Sequence, residues 1–440
     1  MHERFKFKTS GELILRAKQL GYELPYSEDL SPLLKPLKTS SFNLQNRFAV
    51  QPMEGYDSEP DGSPSSLTVR RYLRYAAGGS ALIWFEAVAV RHDGRSNPGQ
   101  LWLNSNNLDS YKSLIDRMRK EAARIGISPV IVIQLTHSGR YSKPDGNPQP
   151  LVPALNKVLD KGNPRVLTDD EFLRLEDDYI KAAGLAMEAG FDAIDVKACH
   201  GYLVHEMLSC TARTGSRFCG PEPEKRFSYF LGLIDRIKAE IAGMPVTTRV
   251  CIWDGYEGGF GMGPVESVPD YTEPLMLFRE LEARQLEMVN ITMGSPYYNP
   301  HVVRPYDTPL PGVTPPEENP LSGVARMIEG TSLMQESFQS VRMVGSAYTW
   351  LREHGPHVAA ALVSNNKVAV AGFGRNSFAY PDMPLDIARE GSPNPKKFCI
   401  TCSGCTRLIK SLRHGGCVIR DREIYGEELK RLIADERKQD

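Results

Sequence analysis

Between about residue 45 and residue 390, short apolar runs alternate with longer stretches whose apolar residues recur at helical spacing. Eight of the runs read as strands: residues 47–53, 81–88, 129–136, 191–197, 245–252, 286–292, 341–345 and 367–371. Most are nearly continuous rather than alternating, as in a parallel sheet covered on both faces. In the clearest helical stretch, Thr168 precedes an acidic first turn with Glu171 three residues on, and Gly190 follows the last apolar position. That predicts a capping box at one end and a glycine C-cap at the other. Eight βα units predict an α/β chain closed as a (β/α)8 TIM barrel. An open doubly wound sheet would need a glycine-rich phosphate loop after its first strand, and Glu54-Gly55-Tyr56-Asp57 is not one.

Three units are expected: an N-terminal extension over 1–40, the barrel over 41–392 and a cysteine-rich C-terminal segment over 393–440. Thr9-Ser10-Gly11-Glu12 caps a short helix in the extension, ending at Gly21. Residues 296–320 hold eight prolines and little periodicity, which predicts a long loop after strand six, at the face where barrels carry their sites.

Composition narrows the partners. A net charge of −1 gives no electrostatic case for nucleic acid or an anionic membrane. The apolar runs are strand-sized, so no membrane span is expected, and with no signal-like N-terminus the chain reads as cytoplasmic. Cys199, Cys210, Cys219 and Cys251 are scattered, whereas Cys399, Cys402, Cys405 and Cys417 crowd into 19 residues. The crowded group suggests metal rather than disulfides. Its C-x2-C-x2-C-x11-C spacing suits a [4Fe–4S] cluster, with four-cysteine zinc as the alternative.

The strand ends carry polar groups that would meet at one mouth: Pro52-Met53, Glu86, Gln134 with His137-Ser138-Gly139-Arg140, Lys197 with His200-Gly201-Tyr202, Arg249, Gly345-Ser346 and Gly372-Phe373-Gly374-Arg375. Pro52-Met53, the Gly78-Gly79 after the first helix, Gln134 with His137-Ser138-Gly139-Arg140, His200-Gly201-Tyr202, Arg249, and Gly372-Phe373-Gly374-Arg375 leading to Pro381-Asp382, in this order on these strands, resemble the FMN barrels of the old yellow enzyme group. They are most similar to the iron–sulfur branch that includes dienoyl-CoA reductase and trimethylamine dehydrogenase. The resemblance spans roughly residues 40 to 420.

What the resemblance implies is an FMN-dependent reductase of activated C=C bonds in a small-molecule substrate, drawing electrons from NAD(P)H or from an electron-transfer protein. Pro52 and Met53 would flank the flavin, Gln134 and Arg249 would bond its polar edge, and Glu86 is counted with the cofactor residues. Gly345, Ser346, Gly374 and Arg375 would hold the phosphate, although tight geometry alone would also explain the two glycines. His200 and Lys197 would hold a substrate oxygen and Tyr202 would donate a proton. Lysine departs from the family's usual histidine at 197, so pairing with Glu86 or Glu54 is its other reading. The stretch Ala212-Arg213-Thr214-Gly215-Ser216 also departs from the family's pattern, which bears on the shape of the substrate pocket. His137 reads equally as structural or binding, and His205 as a packing residue. The runner-up function is an amine or ether dehydrogenase or demethylase passing electrons out through the cluster, and the non-catalytic alternative is a flavin- or metal-binding scaffold. A homo-oligomer fits the sequence as well as a monomer does.

Overall fold

The computed structural model describes residues 2–265 and 268–439. Eight parallel strands close into one barrel in chain order. They are β1 (Phe48–Val50), β2 (Leu82–Ala89), β3 (Val130–Thr136), β4 (Ala193–Val196), β5 (Val246–Cys251), β6 (Met288–Thr292), β7 (Arg342–Gly345) and β8 (Val370–Phe373). Closure is made by β8 against β1, with Ala371 opposite Phe48 and Phe373 opposite Val50. All eight strands fall inside or beside the runs expected from the sequence. Continuous burial explains why: every residue of β2, β5 and β6 is buried, because the inner face fills the barrel and the outer face meets helices. The lower interior is plugged by Ala49, Leu82, Trp84, Val132, Met288, Val344 and Val370.

Helices α1 (Ser66–Ala77), α2 (Leu108–Ala123), α3 (Asp169–Ala189), α4 (Pro223–Glu240), α5 (Thr272–Ala283), α6 (Pro320–Ser337) and α7 (Gly355–Ser364) surround the strands. The signals at the ends of α3 hold: the Thr168 hydroxyl accepts the Glu171 N–H, the Glu171 side chain reaches back, and Gly190 sits at φ 91°. The N-terminal helix Ser10–Gln19 is capped by Thr9. The segment before it is pinned to the barrel, with Phe5 edge-on to Trp350 (5.4 Å between ring centres) and Phe5 N–H donating to Asp307 (3.1 Å). The C-terminal segment folds back over α1, where Arg70 and Arg74 each reach Asp421 at 2.7 Å. Cys210 and Cys219 form a disulfide, a pairing that spacing alone did not separate from Cys199 and Cys251. Among the described residues, no helix is long and apolar enough to cross a membrane.

Candidate active site

A cavity of about 580 Å³ opens at the C-terminal mouth of the barrel, within the roughly 300–1,000 Å³ usual for cofactor and ligand sites. Pro52, Met53, Gln134, Lys197, His200, Arg249, Ser346, Gly374 and Arg375 all line it, as the sequence led one to expect. Gln134 has a defined orientation. Its amide Nε2 donates to Asp195 (2.6 Å), which also accepts Trp84 Nε1–H (2.7 Å) and Arg249 N–H (2.7 Å). The Gln134 carbonyl is thereby left free for a donor. Burial pushes the Asp195 carboxyl up to about 6, against the pull of these donors.

Two expected cofactor residues stand elsewhere. Glu86 is absent from the lining. A bulge in β2 sets two residues, Phe85 and Glu86, opposite one on β3, and both turn outward. Glu86 there accepts Arg71 (2.5 Å), Tyr72 (3.2 Å) and Gly55 N–H (2.8 Å), so it braces α1 and the β1 loop instead of the mouth. Gly345 is also set back. A side chain there would meet Tyr348 Oη at 2.5 Å, and its carbonyl accepts Gln51 Nε2 (3.0 Å). Crowding fixes that glycine.

The loop after β4 turns through two left-handed residues, His200 (φ 66°) and Gly201 (φ 71°). His205 holds that turn: its Nδ1 accepts Gly201 N–H at 2.8 Å. The His205 proton therefore lies on Nε2, 3.4 Å from Asp254. His205, Cys251 and Asp254 bring ligand-type atoms within 4.8 Å of one another, yet the Nε2–H leaves no lone pair there for a metal. The packing role expected of His205 is thus sharpened into support for the loop. His137 similarly accepts Gly139 N–H (3.1 Å) and faces Asp93.

His200 points to the cavity, 3.3 Å from Thr292 Oγ1. Burial, reinforced by Arg249 and Lys197, drives it well below the usual histidine range, so the ring is neutral and carries one N–H. Lys197 forms no ion pair among the described residues. Its Nζ lies 3.7 Å over the Tyr202 ring, and burial lowers its pKa. Tyr202 itself is 1% exposed and stands behind the wall. Its hydroxyl meets Tyr297 Oη (3.0 Å) and Glu54 (3.3 Å), so direct access of Tyr202 to a substrate is corrected to access through these neighbours. Glu54, Tyr56, Tyr141, Tyr297 and Arg304 are lining residues that the sequence reading missed. Tyr297 and Arg304 come from the proline-rich loop, whose length and place were the available signal.

The residues fit a flavin mononucleotide. Arg249 Nε and Arg375 Nη1 are buried without partners, and Gly374 leaves room where a side chain would press on Met53 Sδ at 3.1 Å. Arg304 faces Arg375; burial, then the charge of Arg375, brings the Arg304 guanidinium down to about 10. Two guanidinium groups so placed call for an anion.

The four C-terminal cysteines are unpaired; Cys399 and Cys417 are buried, and Cys402 and Cys405 are partly so. Burial, with neighbouring thiols adding, pushes Cys399 up to about 12. Cys405 lines the cavity. No three of these sulfurs fall within 4.8 Å of one another.

The profile of the NADH:flavin oxidoreductase / NADH oxidase family matches residues 32–309. A NADPH dehydrogenase of Listeria monocytogenes serotype 4b is 33% identical over 269 residues, covering 60% of this chain and 74% of that protein. A 2-naphthoyl-CoA reductase structure superposes with TM-score 0.73 at 20% identity, over 91% of this chain and 58% of that one. Histamine dehydrogenase from Rhizobium sp. 4-9 gives TM-score 0.67 at 19% identity, over 88% of this chain and 52% of that one. This chain thus spans little more than half the length of either larger protein.

Proposed function

This chain belongs to the NADH:flavin oxidoreductase / NADH oxidase family and is an FMN-dependent oxidoreductase; on that footing we propose that it reduces activated C=C bonds in oxyanion-forming or anionic substrates. The observation that carries this reading is the charge of the cavity wall. Lys143, Lys161, Lys197, Arg249, Arg304 and Lys410 face it, and Glu54 is the one carboxylate among the described lining residues. Such a wall stabilises negative charge and opposes a cationic amine. That weighs against the amine-dehydrogenase alternative, although histamine dehydrogenase shares the fold.

Bound FMN would supply two-electron hydride chemistry between NAD(P)H and the substrate carbon. Pro52, Met53, Gln134 and Arg249 would hold its ring, and Ser346, Gly374 and Arg375 its phosphate end. The free Gln134 carbonyl suits a ring N–H, and the orphaned Arg249 Nε suits a ring oxygen. His200 and Lys197 would hold the substrate carbonyl. A neutral imidazole donates one hydrogen bond to an oxygen that gains charge, while the lysine contributes a point charge. The proton for the α-carbon would come from the tyrosine cluster around Tyr202.

The cysteine segment would carry a [4Fe–4S] cluster. A single zinc at about 2.3 Å from each sulfur draws all four sulfurs to within roughly 4 Å of one another, whereas no three of these lie within 4.8 Å and a cluster ligates each sulfur to a different iron. Cys405 in the cavity wall would place the cluster beside the flavin, open to an electron-transfer partner.

The test is anaerobic stopped-flow oxidation of the reduced holoenzyme by cyclic enones, acidic enoates and, in the opposite direction, reduction of the oxidised enzyme by amines. Enones and enoates should reoxidise it, and His200→Ala should slow this by roughly 10²–10³-fold with FMN retained. Reduction by an amine with no response to any enone would overturn the reading.

A further inference from the structure

The proton donor at the cavity is not fixed by the family resemblance, because Tyr202 lies behind the wall. Its hydroxyl is in contact with Tyr297 Oη at 3.0 Å, and Tyr297 does line the cavity. Tyr297 belongs to the loop after β6, stacks on Tyr141 (ring centres 3.7 Å apart, planes 12° apart), and is 40% exposed. Stacking fixes the ring, and its hydroxyl sits at the cavity edge beside Tyr202, Tyr56 and Ser96. On the other flank Glu54 accepts Tyr202 (3.3 Å), Tyr56 (3.0 Å) and Gln100 Nε2 (3.3 Å). The chain Glu54–Tyr202–Tyr297 runs from the β1 loop across the β4 loop to the β6 loop.

Resting on the C=C reductase reading, we propose that Tyr297 is the catalytic phenol that protonates the substrate, and that Glu54 sets its direction and restores its proton through Tyr202. The reason lies in hydrogen-bond polarity. A carboxylate at Glu54 takes the Tyr202 hydrogen, which leaves Tyr202 only as an acceptor, so the Tyr297 hydrogen turns inward toward Tyr202. With the proton on Glu54, its O–H donates to Tyr202, Tyr202 donates to Tyr297, and the Tyr297 O–H is released to the cavity.

The step balances. A hydride originating from NAD(P)H forms the C–H bond at the β-carbon with both electrons, the C=C π bond breaks, and the α-carbon takes the Tyr297 proton. Tyr202 reprotonates Tyr297, Glu54 reprotonates Tyr202, and water reloads Glu54. Burial raises all three phenols, but Tyr297 only to about 12, while Tyr202 and Tyr56 go well above their usual values. The charged and titratable groups facing Glu54 are Lys197 and Cys199 from the β4 loop, Arg249 from β5, and Tyr56, Tyr202 and Tyr297.

The FMN-loaded enzyme, reduced without oxygen, is mixed with cyclohexenone in water and in deuterium oxide across a range of pH. Tyr297→Phe should bind the enone as wild type does, by perturbation of flavin absorbance, yet reoxidise roughly 10²–10⁴-fold more slowly. Glu54→Gln should be slow, with the wild-type solvent isotope effect flattened, and Glu54→Asp should restore both. A wild-type rate in Tyr297→Phe, or an unchanged solvent isotope effect in Glu54→Gln should Tyr297→Phe fail to fold, overturns the relay and leaves the reductase reading standing. A wild-type enzyme that no enone reoxidises overturns the reading, and the relay with it.

Discussion

Removing the Arg375 guanidinium should weaken FMN and leave riboflavin almost untouched. Arg375 Nη2 donates to the Pro305 carbonyl at 2.6 Å, and Nη1 is buried with no partner. Arg304 stands opposite, its own charge opposed by burial and by Arg375. A phosphate between them would satisfy the orphan donor and relieve the like-charge contact together. The charge-assisted bond is worth about 1.5–3 kcal/mol, which is about one to two decades of affinity. Without ligand the two effects of Arg375→Ala oppose each other. The variant loses the Pro305 bond, about 1 kcal/mol, and sheds the repulsion, so the apoprotein should be little less stable than wild type. Stabilisation by excess FMN should shrink by the same 1.5–3 kcal/mol, roughly, as the binding term falls. The assay is titration of apoprotein by quenching of flavin fluorescence, FMN beside riboflavin, with melting curves in parallel. Unchanged FMN affinity, or equal losses for FMN and riboflavin, would refute a phosphate contact at Arg375.

Elemental analysis of anaerobically purified protein should find about four irons per chain, and Cys402→Ser should lower this sharply; one zinc and no iron would sink the electron-transfer role of the segment. Stability should also carry a signature of Glu206, whose carboxyl is pushed by burial up to about 7 against the pull of Arg140 (2.5 Å). Because the folded value lies above the unfolded one, near 4.5, this contribution is complete below about 4.5 and lost as pH rises through about 7, on the order of 3 kcal/mol. Denaturation of wild type and Glu206→Gln across that window should show the slope in the first and not in the second. Equal slopes would mean that Glu206 titrates normally.

The barrel was legible because burial on both faces of a parallel strand leaves a local mark. A run such as Leu82–Ala89 is apolar almost throughout, and its two faces need no long-range information to be recognised. The capping box at Thr168 and the C-cap at Gly190 are equally local. Residues at strand ends followed from the same frame: once eight strands are placed, Gln134, Lys197, His200 and Arg249 must gather at one mouth. Glu86 failed by one residue of register, since a bulge reverses which face a side chain takes and the sequence around it does not announce the bulge. Gly345 has a second constraint that local pattern did not show: a side chain there would meet Tyr348 Oη, supplied by a turn three residues on that only the fold brings back over it. Tyr297 and Arg304 could not be assigned because a proline-rich loop has no period to say which side chains face inward. Glu54, Tyr202 and Tyr297 lie far apart in the chain, and their hydrogen bonds exist only because three loops meet over one barrel. Local pattern determined the elements and hence the mouth; the order of contacts within it depends on distances between elements, which tertiary packing alone decides.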